Sequence, residues 1–166
     1  MWPSSETASE YAIKAAFLFN IIKYAEWAPG SPLSDPSKPI VVAIVGDDPF
    51  GSTLDDAVRD RTVRGRRVLV VHAANLKSVK QAHVAFISSS EASRAGDAIS
   101  ALNSRSTLTV GDTEAAAQAL VMVNFVVVQG RVRFDVNQAQ ARRNGIELSS
   151  QLLKLARYVH EAGGLP

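Results

Sequence analysis

Ile40-Val41-Val42-Ala43-Ile44-Val45-Gly46-Asp47-Asp48-Pro49-Phe50-Gly51 is the stretch that decides the fold class. Its opening residues are apolar without a break, mostly β-branched, and stopped by a glycine. Such a run is too short for a typical helix and reads as a strand covered on both faces. A strand dry on both sides needs helices above and below it, so the flanking sequence must supply them.

Downstream it does. Residues 50–60 read as a helix, Arg67–Val71 as a strand, Leu76–Gln81 as a short helix and Val84–Ser88 as a strand. Ala92–Asn103 is helical, Thr107–Val110 is a strand, and Thr113–Ala119 is a short helix capped by Asp112. Strands alternating with helices imply crossover connections and a mostly parallel sheet. Leu120–Val128 is apolar on both faces except for Asn124, as in a central strand. Gln129-Gly130 then turns the chain, Gly130 being free to take positive φ. Arg131–Val136 alternates, with Val132, Phe134 and Val136 on one face and Arg131, Arg133 and Asp135 on the other, the pattern of a half-exposed antiparallel strand.

Upstream, Thr7-Ala8-Ser9-Glu10 reads as a capping box opening a long helix. Tyr11, Ala15, Leu18, Ile22 and Ala25 form its apolar stripe, and Lys14, Lys23 and Glu26 its wet side, until Pro29-Gly30 ends it. At the other end Asn137 caps a helix beginning near Gln138. A last helix from Ser149 or Ser150 buries Leu152, Leu155, Ala156 and Val159 before Gly163-Gly164. The expectation is one three-layer α/β domain over 11–160, with helices on both faces of a sheet of about five to six strands and a C-terminal antiparallel hairpin. Residues 1–10 are set apart as a flexible N-terminal segment and 161–166 as a tail.

Composition narrows the function. The 166 residues are 46% hydrophobic and 20% charged, which suits one ordinary domain and excludes disorder. A net charge of +2 gives no argument for nucleic acid. With no cysteine in the chain, disulfides, thiolate metal sites and cysteine nucleophiles drop out. The longest apolar runs fall far short of the ~20 residues that a bilayer requires, so no direct membrane insertion is expected. The start, Met1 to Glu6, lacks the charged and apolar regions of a signal peptide, so the chain is cytosolic or has already lost one.

The Gly46–Gly51 loop lies where an α/β sheet usually keeps its ligand. It has no glycine pattern for a phosphate, and Asp47 and Asp48 would repel one. An acidic pair here also opens phosphorelay receivers, but Ser88-Ser89-Ser90 and Gln129 stand where a receiver needs an aspartate and a lysine. What remains is a turn or, as the alternative reading, a small-ligand pocket formed by Asp47, Asp48 and Phe50. Arg59, Arg61, Arg64, Arg66 and Arg67 crowd together opposed by Asp60, either a solvated rim or a surface for an acidic partner. His72, His83 and His160 are scattered, and no catalytic or metal set assembles.

Three stretches together resemble the YfiR family. They are Tyr11-Ala12-Ile13-Lys14-Ala15-Ala16-Phe17-Leu18-Phe19-Asn20 continuing to Tyr24-Ala25-Glu26-Trp27; Ile44 to Gly51; and Gly130-Arg131-Val132-Arg133-Phe134-Asp135-Val136-Asn137 followed by Gly145 to Ala156. The resemblance implies a non-catalytic periplasmic regulator without cofactor, its signal peptide removed. It would bind and repress a membrane diguanylate cyclase of the YfiN type, lowering cyclic di-GMP and biofilm formation. An outer-membrane lipoprotein of the YfiB type would relieve the repression, and a homodimer is in keeping with the family. The best-known member relies on disulfides, which this chain cannot form. As partner-binding residues we single out Trp27, a stiff contact near the end of the first helix, and Arg131, Arg133 and Asp135 on the open face of the hairpin strand.

Overall fold

The computed structural model describes residues 5–79, 81–93 and 96–161. Positions 1–4 of the N-terminal segment, Lys80 of the expected short helix, and 162–166 with the Gly163-Gly164 stop lie outside them. A central sheet of eight strands carries helices on both faces, the three-layer α/β class read from the sequence but wider than expected. Its order is Tyr158–His160 (β10), Arg131–Asn137 (β8), Val123–Val128 (β7), Leu108–Gly111 (β6), Val84–Ile87 (β5), Ile40–Val45 (β2), Arg66–Ala73 (β4), Thr62–Val63 (β3). From β6 to β7, β5, β2 and β4 all neighbours run parallel, as β10 does to β8. The hairpins β7–β8 and β3–β4 are antiparallel.

Period-2 alternation divides the core in two. Val42 and Ile44 of β2, with Val84 and Phe86 of β5, point to one face and meet Leu18, Ile21 and Ile22 of helix α1 (Ser5–Lys23) and Leu54 of α2 (Thr53–Val58). Ala43, Val45, Ala85 and Ile87 point to the other and meet Ile99 and Leu102 of α4 (Gly96–Ser104) and Ala116 of α5 (Glu114–Gln118). Between β5 and α4 lies the short α3 (Ser89–Ala92). The expected helix at 76–81 is a 3-10 turn over Leu76–Ser78.

Several expectations need correction. Helix α1 begins at Ser5, so Thr7 lies within it and does not open it. It ends at Lys23, because the Arg64 guanidinium takes the carbonyls of Lys23 and Ala25 at 2.8 Å each. The chain then extends as β1 (Ala25–Trp27), paired antiparallel with β9 (Ile146–Leu148) in a separate ribbon. Between β8 and β9 runs α6 (Gln138–Arg143), capped as expected by Asn137, whose side chain accepts the Gln140 N–H. The last helix, α7, covers Ser150–Leu153 alone; it buries Leu152 but leaves Leu155 exposed. The chain then turns to lay β10 along β8, with the Arg157 N–H donating to the Phe134 carbonyl at 2.7 Å. Helix α5 is capped by Thr113, accepting from the Ala116 N–H, rather than by Asp112.

Candidate functional site

Helix α1 runs against the sheet so that its first full turns reach the carboxyl ends of the parallel strands. Lys14, placed on the wet side by periodicity, is in fact 2% exposed. Its ammonium donates to Asp112 Oδ2 at 3.0 Å, just past β6, and to Glu10 Oε2 at 2.6 Å one turn back. The Tyr11 hydroxyl donates to the same Asp112 oxygen at 2.6 Å. Burial, then the carboxylate it serves, pushes the Tyr11 phenol far above its ordinary range. These bonds tie α1 to the segment just past β6, which makes the cluster a lock between helix and sheet.

Beside it lies the Gly46–Gly51 loop. Strand β2 is flanked by β4 on one side and β5 on the other, so the chain switches direction at β2 and opens a crevice between the β2 and β5 loops. Here the protein fills that crevice itself. Gly46 has φ +88°, and a Cβ there would collide with the Ser88 and Ser90 hydroxyls. Ser90 Oγ accepts the Asp47 N–H at 3.0 Å. Phe50 is 3% exposed, its ring edge-on to Tyr11 and Phe86. Asp48 accepts the Phe50 N–H through Oδ1 and meets His72 Nε2 at 2.8 Å through Oδ2. The alternative ligand reading thus loses Phe50 to the core and Asp48 to turn and histidine, leaving Asp47 exposed. Among the described residues, no three His, Asp or Glu side chains gather as a metal site would require.

Trp27 moves inward as well. It is 6% exposed, its indole N–H donates to the Ser106 carbonyl at 2.8 Å, and its ring stands edge-on to His83. This corrects its expected role as a contact near a helix end: it lies in β1, and the ribbon with β9 carries it into the core. His83 accepts the Val41 N–H through Nδ1, and its Nε2 lies 2.8 Å from both the Leu33 carbonyl and the Arg66 guanidinium. Arg66 spans the same pocket, donating to the Lys38 and Leu33 carbonyls. Burial, opposed by the Leu33 bond and aided by the Arg66 charge, holds the imidazole below its ordinary pKa.

The hairpin strand behaves as its alternation requires. Val132, Phe134 and Val136 are buried, whereas Arg131 and Arg133 stand exposed. Val128 and Val126, opposite them in register and half-buried, share this outer face. Asp135 is engaged: both its oxygens hold the Arg157 guanidinium, at 2.9 and 2.6 Å, clamping β10 to β8. Among the described residues Arg131 and Arg133 meet no carboxylate. Of the partner-binding residues selected from sequence, Arg131 and Arg133 form the open surface, whereas Trp27 is buried and Asp135 engaged. The Lys14–Asp112 lock escaped that selection because its partners lie about a hundred positions apart and helical periodicity placed Lys14 on the wet side.

No helix among the described residues is long and apolar enough to cross a membrane. Two solved structures share the fold. One is the crystal structure of a conserved domain protein from Vibrio cholerae O1 biovar eltor, with a TM-score of 0.57 at 11% identity over 87% of this chain and 60% of that one. The other is the ABC domain in complex with L-Trp from Streptococcus pneumonia, with a TM-score of 0.59 at 13% identity over 87% of this chain and 62% of that one. The chain therefore spans about three fifths of the length of these structures. Among curated proteins none matches by sequence. A family model described as YfiR/HmsC-like matches residues 11–157, nearly the whole domain with the α1 motif, the Gly46–Gly51 loop and the hairpin. The chain belongs to the YfiR/HmsC-like family.

Proposed function

We propose that this protein restrains a membrane diguanylate cyclase by docking on the cyclase's periplasmic sensor portion, without catalysis and without a cofactor. On this reading an outer-membrane lipoprotein relieves the restraint by sequestering the regulator. The supporting observation is the outer face of the β7–β8 hairpin, where Arg131 and Arg133 stand side by side, exposed and without a carboxylate partner among the described residues, over Val126 and Val128. A rigid hairpin pinned to α1 through Phe17, which packs on Phe125 and Phe134, presents those cations without needing to reorganise. Family membership supports the signalling context.

The test is charge reversal on that face. The double variant Arg131→Glu/Arg133→Glu is expected to weaken capture of a cyclase sensor domain by about tenfold or more, since several like-charge contacts replace complementary ones. Its melting temperature should match that of the parent, because both side chains are solvent-exposed. Equal capture by the double variant would remove the hairpin face from the reading.

A further inference from the structure

Strand β4 lies near the end of the sheet opposite to the hairpin, and only part of its outer edge is covered. β3 pairs with it at Thr62↔Arg67 and Val63↔Arg66 and then departs toward α2 through Asp60 and Arg61. Beyond Arg67 the edge has no neighbour among the described residues. The direction of each backbone group follows from alternation. The Ala73 carbonyl accepts the Gly46 N–H, on the β2 side. Residues Leu69 and Val71 therefore also turn their peptide groups to β2, and Val68, Val70 and His72 turn theirs outward.

Side chains on this stretch are unusual for an edge. Leu69 is 38% exposed and Val71 is 42% exposed, both on the same face. Natural sheet edges are blunted by lysine, proline or a bulge. From Val68 to His72 there is no such device, and the pairing with β2 is regular throughout. Charge lies beside the edge instead of on it: Arg61, Arg64 and Arg67 are exposed at its lower end, and residues 57–80 carry seven basic side chains against Asp60 alone.

We propose that the Val68–His72 edge of β4 is a docking site for an extended segment of a partner protein, apolar at alternate positions and acidic where it passes the arginines. The incoming strand takes the backbone groups of Val68, Val70 and His72, its apolar side chains cover Leu69 and Val71, and its carboxylates answer Arg67 and its neighbours. A second copy of this chain is the poorer occupant, because the β3 hairpin that covers the lower part of the edge would be brought against the partner's upper part. This site is independent of the hairpin face, from which it is separated by about 24 Å at five strand spacings.

The experiment uses the full chain and a labelled peptide about six residues long, a usual strand length, with valine alternating with threonine to face Leu69 and Val71 and glutamates at the end that passes Arg67. Val70→Pro deletes an outward N–H that has no partner in the free protein, a substitution that edge positions tolerate. Expected results are binding by the parent and loss of about tenfold or more, roughly 1.4 kcal/mol, both in Val70→Pro and with a peptide carrying lysine for glutamate. In the parent, added peptide should slow hydrogen exchange at the Val70 and His72 amides and leave Leu69 and Val71 unchanged, a readout that needs no variant to fold. Absence of binding, equal binding by Val70→Pro or by the lysine peptide, or no change in exchange would each overturn the proposal. So would concentration-dependent self-association abolished by Val70→Pro, which would give the edge to a second copy.

Discussion

Replacing Lys14 by methionine would leave Asp112 buried with a phenol as its remaining donor and Glu10 without its cation. Breaking a buried pair in this way costs about 3–5 kcal/mol, far more than any exposed ion pair in the chain is worth. The Lys14→Met variant should unfold at correspondingly lower urea, and adding Asp112→Asn should recover much of the loss, because both charges then leave together. A double-mutant cycle measures that coupling. His83 makes a second prediction. Its imidazole is held neutral in the fold and charges more readily once unfolded, so the unfolded chain binds the extra proton. Stability from this group is full above the ordinary histidine value of ~6.5 and falls as pH drops below it. Melting temperatures between pH 7.5 and 5 should decline, and His83→Gln should flatten the slope.

The β7–β8 hairpin turns on Gln129 and Gly130, with φ of +52° and +77°. A valine at 130 would be forced left-handed at about 1–2 kcal/mol, so Gly130→Val should lower denaturation midpoints by that amount without altering the strand register. This turn was legible in the sequence, as were β2, β5 and the alternating hairpin strand, because each carries its own periodicity. The β3–β4 hairpin was not. Its turn is Arg64-Gly65, and an arginine at φ +52° sends none of the usual asparagine or aspartate signal. The β1–β9 ribbon was hidden as well, since its three-residue strands are defined by each other and by Arg64, far apart in sequence. Candidate site residues fared similarly. The exposure of Arg131 and Arg133 follows from strand alternation, but the inward turn of Trp27 depends on a strand that local patterning assigns to a helix. Phe50 looked available because its position in a loop conceals the aromatic neighbours supplied by α1 and β5.

At the scale of the whole molecule, charge is unevenly spread. Residues 1–56 hold three basic and eight acidic side chains, the reverse of the balance in 57–80. A dipolar body of small net charge orients as it approaches a charged partner, and salt screens that effect over about 10 Å at 0.1 M. Association with an acidic partner segment should therefore slow several-fold between 0.05 and 0.5 M salt, with dissociation changing less. Stopped-flow mixing at a series of ionic strengths measures both rates.

The serine stopper in the crevice beside Gly46 has an evolutionary side. The Ser88 and Ser90 hydroxyls, with the Glu91 side chain, occupy the space beside Gly46 at the place where doubly wound sheets most readily acquire cargo. Shortening both, as in Ser88→Ala/Ser90→Gly, would hollow out a hydrated niche lined by peptide groups at modest thermodynamic cost. On the docking function proposed above, the fold sits a couple of codon changes from a rudimentary receptor, and a screen of that double variant against metabolites would show how near.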